Sequence, residues 1–245
     1  MNHFITKKTA IIIVTYKALP YVKQCVQSIK EHTKHPYELI IIDNNSGPEM
    51  VSYLRSLQDI TLIENQDNRL LTPAQNQGLD KISKDVTYVL FLNPDIQVLQ
   101  DGWLTEMIDL IESKENIGSV GPVCNYHPLG PLKGNIDMCC MLVRREVLDA
   151  CSGLDNQYPW NGGGLILTAH AWSKGWRYAH LRQPKIVIHH KAKSRSYKQL
   201  PNQPIDQRVV FQKYGLKPVW SFWGFCRQLY YHPETVWNMI KAKFS

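Results

Sequence analysis

The 245-residue sequence predicts an α/β fold with a mostly parallel central sheet flanked by helices. Three observations lead there. Short continuous runs of aliphatic and β-branched residues recur, the kind of run that is buried on both faces in a parallel sheet. Segments with apolar residues at helical spacing lie between them. Several of the runs end in a compact polar cluster, as strands do at the mouth of such a sheet, where ligands bind beyond the carboxyl ends.

The first run, TAIIIVTY (Thr9 to Tyr16), predicts a buried strand. In LPYVKQCVQSIKEHT, Val22, Cys25, Val26 and Ile29 fall at i, i+3, i+4 and i+7, one face of a helix. YELIIIDNNS is a second buried strand that closes on Asp43-Asn44-Asn45-Ser46, and after a polar, partly helical stretch ITLIEN is a short third. TPAQNQGLDKIS opens a helix, with Thr72 expected as its N-cap and Pro73 as its first helical residue. VTYVLFLN is the fourth strand, running into Asn93-Pro94-Asp95, and DGWLTEMIDLIESK is an amphipathic helix. Strands alternating with helices require crossover connections and hence parallel pairing. Thr15-Tyr16, Asp43-Asn44-Asn45 and Asn93-Pro94-Asp95 are therefore expected to line one crevice. Beyond residue 120, DMCCMLVRREVLDACSGLD reads as a strand or buried segment leading into a helix ended by Gly153. GGGLILTAHAWSKGW reads as a glycine-rich loop and a short helix from Leu165 to Lys174, and PKIVIHH as a short strand closing on two histidines.

Composition narrows the class. With 44% hydrophobic and 20% charged residues the chain has the make-up of a soluble globular protein. The six cysteines form no CxxC or paired framework, which predicts reduced thiols in a cytoplasmic protein. The apolar run Ala10 to Val14 is too short for a secretion signal or a membrane span. Charge is unevenly placed: residues 191–245 hold ten Lys+Arg against two Asp+Glu, whereas residues 1–190 hold eighteen against nineteen. The basic segment also carries Trp220, Phe222, Trp223, Phe225, Tyr230, Tyr231 and Trp237. Aromatic and basic residues together favour an anionic membrane surface, peripheral on the inner face of the cytoplasmic membrane. No recognised nucleic-acid motif accompanies the charge. The expected division is a catalytic domain over 1–195 and a basic, aromatic extension over 196–245.

Asp95 is the residue that most needs an explanation. A carboxylate at the mouth of a parallel sheet is costly unless its charge is compensated. Pro94 fixes its own φ and biases Asn93 toward an extended conformation, which aims both polar side chains in a set direction. A divalent cation carrying a diphosphate would supply the compensation, since Mg²⁺ and Mn²⁺ bind through one or two carboxylates plus substrate phosphates. A plain Asn-Pro-Asp turn is the simpler alternative.

Six segments in order, IIIVTYK, LIIIDNNS, NRLLTPAQNQGL, YVLFLNPDIQV, MLVRREVLDACSGLD and IVIHH, resemble the family 2 glycosyltransferases, inverting enzymes of the GT-A fold, and most of all their rhamnosyltransferase-like branch. The resemblance covers residues 9 to about 195. It implies that Thr15, Tyr16 and Asp43, with Asn45 beside them, hold the base and ribose of a UDP- or dTDP-activated sugar donor. It also implies that Asn68 and Asn76 line the sugar-nucleotide pocket, that Asn93 contacts ribose or phosphate, and that Asp95 binds Mg²⁺ or Mn²⁺. His189 or His190 matches a late histidine that completes the metal site. The acceptor implied is a glycan or a polyprenol-linked glycan, in bacterial surface polysaccharide or lipopolysaccharide synthesis.

The sequence departs from that pattern at one place. The family's catalytic base lies in an acidic pair, and here Gly163 and Gly164 occupy its position; no Asp or Glu occurs from Asn156 to Pro184. Asp155 and His170 are the nearest groups able to take a proton, and an imidazole near its ordinary pKa suits that task. The alternatives are a substrate whose own charged group assists, or a nucleotide-sugar-binding pseudoenzyme within a glycan-assembly complex. A sugar-phosphate nucleotidyltransferase is disfavoured, because VTYKALPYVKQC has no glycine in the loop after the first strand.

Overall fold

The computed structural model describes residues 7–124, 135–160, 163–190, 205 and 207–216. The boundary at 195/196 and the aromatic cluster from Trp220 to Trp237 lie outside the described residues. In chain order the elements are β1 (Lys8–Thr15), α1 (Leu19–His32), β2 (Tyr37–Asp43), α2 (Pro48–Ser56), β3 (Ile60–Glu64), α3 (Leu71–Leu79), β4 (Val86–Leu92), β5 (Ile96–Val98) and α4 (Trp103–Glu112). There follow β6 (Ile117–Gly121), β7 (Val123–Cys124), β8 (Asn135–Ile136), β9 (Cys140–Arg144), α5 (Arg145–Cys151), α6 (Gly163–Ser173), β10 (Arg177–His180), α7 (Pro184–Val187), β11 (Ile188–His190) and α8 (Gln207–Lys213).

Seven strands form one sheet in the order β10-β6-β9-β4-β1-β2-β3. β4, β1, β2 and β3 run parallel, as do β6 and β10, and β9 alone is reversed, against both β4 and β6. The chain builds β2 and β3 on one side of β1, then crosses to place β4 on the other. That reversal is a topological switch point, and a crevice opens there beyond the carboxyl ends of the strands.

Side chains alternate across the sheet, and both faces are covered. Ile11, Ile13, Leu39, Ile41, Tyr88 and Leu90 pack in one core with α1, α2 and α4. Ala10, Ile12, Val14, Ile40, Ile42, Val89 and Phe91 pack in another with α3, α5 and α6. Each buried aliphatic of this kind contributes roughly 1.5–3 kcal/mol, and burial on both sides is why these strands read as unbroken apolar runs.

Three local expectations give way to tertiary contacts. Thr72 does not cap α3: the helix starts at Leu71 after Leu70, whose φ is 67°, and the Thr72 hydroxyl instead donates to the Tyr158 carbonyl at 2.8 Å. The first α3 amides, Leu71 N and Thr72 N, donate to the Pro159 carbonyl, so a distant loop does the capping. The PKIV segment is a helical turn, and only Ile188–His190 is strand. α6 starts at Gly163, not at Leu165.

α6 is apolar all round, and a helix without a polar face must be covered on every side. Leu167 and Ala171 face the sheet, while Leu165, Ile166 and Ala169 face Val210 and Phe211 of α8. The described part of the expected extension thus packs directly onto the domain.

Candidate active site

The ends of β1 and β2 are tied together by a buried carboxylate. Asp43, 1% exposed, accepts from the Thr15 hydroxyl at 2.8 Å and from Ser46 N at 3.1 Å. Ser46 Oγ accepts from Lys17 N at 2.8 Å. Lys17, Ala18, Asn45 and Leu70 all have φ between 60° and 67° without being glycine. They cluster where β1, β2 and β3 hand over to their loops, and backbone strain of this kind persists where a site requires it. The Tyr16 ring is half-exposed beside them, with Lys17 Nζ 5.1 Å from its centroid.

A chain of side-chain amides holds the opening loop of α3 to the sheet. Asn44 Nδ2 donates to Asn68 Oδ1 at 3.2 Å and to the Leu70 carbonyl at 3.0 Å; Asn44 Oδ1 accepts from Asn65 Nδ2 at 2.9 Å. Asn65 and Gln77 exchange two amide hydrogen bonds. Of the expected pocket residues, Asn68 belongs to this chain, and the exposed Asn45 fastens to the Gln66 carbonyl at 2.9 Å. Asn76 turns to the Leu154–Asn156 segment: its Nδ2 donates to the Leu154 carbonyl and to Asn156 Oδ1, and its Oδ1 accepts from Leu154 N.

The Asn93-Pro94-Asp95 turn closes β4. Asn93 N donates to the Cys139 carbonyl at 2.8 Å, and the Asn93 carbonyl accepts from Ile96 N at 3.1 Å and from Cys25 Sγ at 3.7 Å. Asp95 is 2% exposed. Burial, reinforced by the Asp95 and Cys140 charges, pushes the Cys25 thiol well up, which places the carboxylate close to α1. β11 runs antiparallel to β5, so His189 lies opposite Gln97 and His190 opposite Ile96, the residue after Asp95. The structure therefore brings the histidine strand and Asp95 together, with the His189 side chain exposed. Among the described residues no three His, Cys, Asp or Glu side chains are grouped to hold a metal by themselves.

Asp155 and His170 also meet, across Tyr214. Asp155 forms an ion pair with Lys213, accepts from the Tyr214 hydroxyl at 2.9 Å and from Gln157 N at 3.1 Å. Burial opposes ionisation, yet these donors outweigh it and hold the carboxyl below its usual range. The His170 ring stacks on Tyr214 at 4.6 Å between centroids. Thr72, Gly153, Gly163 and Ile166 complete the walls of a narrow pocket between them, with room for little more than one water, about 10 Å³. A lowered pKa and donors from Lys213 at the end of α8 and Tyr214 just beyond it make Asp155 a weak proton acceptor.

Burial, helped by Lys174 and Lys213 against Asp155, lowers the His170 pKa below 6.5, and burial lowers His35 and His180 likewise. Unfolding lets all three bind protons more readily, so their contribution to stability is complete above the unfolded pKa near 6.5 and is lost as pH falls through the folded values. The thermal midpoint is expected to drop between pH 7.5 and 5.5, and His170→Phe, which keeps the stack on Tyr214, to flatten part of that slope. A midpoint constant over this range would contradict the burial argument.

Sequence reading missed Asn44 and Ser46 as fasteners, although both lie in the DNNS string, and it missed Asp137. That residue precedes β9, and its Oδ1 accepts from Cys139 N at 2.9 Å. The Cys139 carbonyl in turn takes the Asn93 amide, so Asp137 stands one residue from the Asn-Pro-Asp turn.

Comparison with known proteins finds likenesses to this arrangement. The model for "Glycosyl transferase family 2" matches residues 10–128, from inside β1 to just past β7. The O-antigen biosynthesis protein RfbC of Myxococcus xanthus is 25% identical over 230 residues, covering 78% of this chain and 18% of RfbC. Glycosyltransferase GlyA of Streptococcus pneumoniae is 25% identical over 186 residues, covering 74% of this chain and 26% of GlyA. The chain thus spans about a quarter or less of the length of these two relatives. Among solved structures, the mannosyltransferase PcManGT from Pyrobaculum calidifontis, in complex with GDP-Man and Mn²⁺, superposes with a TM-score of 0.62 at 14% identity, covering 96% of this chain and 79% of its own. The segment that matches the model for glycosyltransferase family 2 contains the crevice strands, and the whole layout recurs in that structure, so the chain adopts the GT-A fold.

Proposed function

We propose that this protein transfers a sugar, with inversion, from a nucleoside-diphosphate donor to a hydroxyl of a surface-polysaccharide acceptor, free or lipid-linked. One observation carries the reading: the switch point between β1 and β4 gathers Thr15, Tyr16, Asp43 and the Asn93–Asp95 turn at the strand ends where nucleotides bind in such sheets. Tyr16, half-exposed, offers its ring to the base, and the Thr15–Asp43 pair shapes the ribose end. Asn93 faces the diphosphate. The name of RfbC supports a polysaccharide acceptor, and the GDP-Man and Mn²⁺ held by PcManGT support a nucleotide-sugar and a divalent ion.

The residues present fit such an ion. Asp95 is a nearly fully buried carboxylate at a strand end, and the register of β11 sets His190 opposite the next residue. One carboxylate, an imidazole and diphosphate oxygens make a donor set for Mn²⁺, and the oxygens alone suit Mg²⁺. Asp95 with His189 or His190 would hold the ion, which when bound supplies positive charge to the departing diphosphate. Among the described residues no helix is long and apolar enough to cross a membrane. The basic, aromatic extension over residues 196–245 is the part that would meet an anionic lipid surface.

Titration calorimetry with UDP, dTDP and GDP tests the reading. At least one is expected to bind about tenfold more tightly with Mn²⁺, near 1.4 kcal/mol, and its sugar conjugate to release nucleoside diphosphate. Failure of all three to bind would refute it. A second reading, a nucleotide-sugar-binding pseudoenzyme, is favoured by one observation: Gly164 has no room for any side chain at the family's base position. Binding of the donor without release would establish it.

A further inference from the structure

The space beside Gly164 is filled by another part of the chain. A Cβ built on Gly164 would meet the Ile136 carbonyl oxygen at 2.1 Å and Met138 N at 3.2 Å, and one built on Gly163 would meet Met138 Cε at 3.0 Å. The backbone of Ile136, Asp137 and Met138 therefore passes directly over the first turn of α6, and the residue in the middle of the three is an aspartate. Asp137 is held in place at three points, and its neighbour Cys139 at one more. Its N donates to the Pro122 carbonyl at 2.8 Å, its carbonyl accepts from Cys140 N at 3.3 Å, its Oδ1 accepts from Cys139 N, and the Cys139 carbonyl takes the Asn93 amide. It thus stands at the mouth of the sheet, between the Asn93–Asp95 turn and the N-terminus of α6.

The other carboxylates at this mouth are committed. Asp43 is buried and engaged by Thr15 and Ser46. Asp95 is buried against α1. Asp155 is neutralised by Lys213 and bonded by Tyr214. Asp137 is half-exposed, with one oxygen on a backbone amide and, among the described residues, no cation on the other. A proton acceptor needs an accessible lone pair and an uncompensated charge, and among the described residues Asp137 has both.

We propose that Asp137 is the catalytic base. Resting on the glycosyltransferase reading above, the step runs as follows. The acceptor hydroxyl gives its proton to Asp137 Oδ2 as its oxygen bonds to the anomeric carbon. The bond from that carbon to the β-phosphate oxygen breaks on the opposite face, and its electron pair leaves with the nucleoside diphosphate. Asp137 then returns the proton to solvent.

The test uses the full chain with Mn²⁺ and four donors, UDP-glucose, UDP-N-acetylglucosamine, dTDP-rhamnose and GDP-mannose, with water as acceptor. Donor binding is measured by calorimetry and turnover by nucleoside-diphosphate release. Asp137→Asn is expected to keep donor affinity within about threefold while kcat falls by about 10²–10⁴-fold, the usual share of a general base. Asp137→Ser preserves an acceptor for Cys139 N and serves should the asparagine variant fail to fold; Asp137→Glu is expected to recover part of the rate. Turnover surviving in Asp137→Asn or Asp137→Ser refutes the assignment alone, as does loss of Mn²⁺-dependent donor binding in both, which would make Asp137 a metal ligand. Donor binding without release in the wild type refutes the transferase reading itself, and this one with it.

Discussion

Asparagine in place of Asp95 is expected to weaken Mn²⁺-dependent nucleotide binding by roughly 100-fold, about 2.7 kcal/mol at 1.4 kcal/mol per decade, while metal-free binding stays unchanged. Asparagine is the informative choice because the site is buried to 2% exposure. Alanine would leave a void among packed neighbours and confuse loss of a ligand with loss of packing. Asparagine keeps the shape and removes the charge. The two effects then separate in the Mn²⁺ dependence of the thermal midpoint. In the wild type, nucleotide with Mn²⁺ should raise the midpoint, since a ligand that binds only the native state stabilises it, and in the variant that rise should vanish. A lowered midpoint with Mn²⁺ dependence intact would make Asp95 a structural residue and remove the metal from this crevice.

The half of the fold from β1 to α4 was legible because its physics is local. Strands covered on both faces leave unbroken runs such as Ile11–Val14 and Leu39–Ile42, and the polar groups that end them are adjacent in sequence. β6 and β10 were not, since one carries two glycines and the other is half-exposed and polar, and both are strands only because they pair across the sheet edge. The capping of α3 by Pro159 reverses the expectation for Thr72 for the same reason: the competing partner lies 87 residues on from Thr72. In the candidate site, Asp43 and the Asn93–Asp95 turn could be picked out from their place after apolar runs. The commitment of Asp155 could not, because Lys213 and Tyr214 arrive from the far side of a long stretch of chain. Asp137 gains meaning only from its neighbour: nothing in DMCC says that this backbone covers Gly164.

That contact makes the second large prediction, a loss of stability. Gly164→Asp would restore an acidic residue at the family's base position, and it is expected to destabilise the protein by at least about 3 kcal/mol without raising turnover. The atom met at 2.1 Å is the Ile136 backbone carbonyl oxygen, which has no rotamer to move into. The gain from replacing a helical glycine, at most about 1 kcal/mol, cannot offset an overlap of this kind together with an unpaired buried carboxylate. For a chain of this length the midpoint should fall by about 6–12 °C. Gly164→Ala should show the steric share alone. Gly163→Ala is the matched control, since its new methyl would meet only the terminal carbon of Met138 at 3.0 Å, and a thioether side chain yields readily. That variant should lie within about 1 kcal/mol of the wild type. If Gly164→Asp melts with the wild-type protein, the segment carrying Asp137 moves aside freely. The assignment of the base to a carboxylate delivered by that segment would then lose its geometric ground. If instead it melts early while Asp137→Asn melts normally and does not turn over, glycine at 164 and aspartate at 137 are two halves of one substitution.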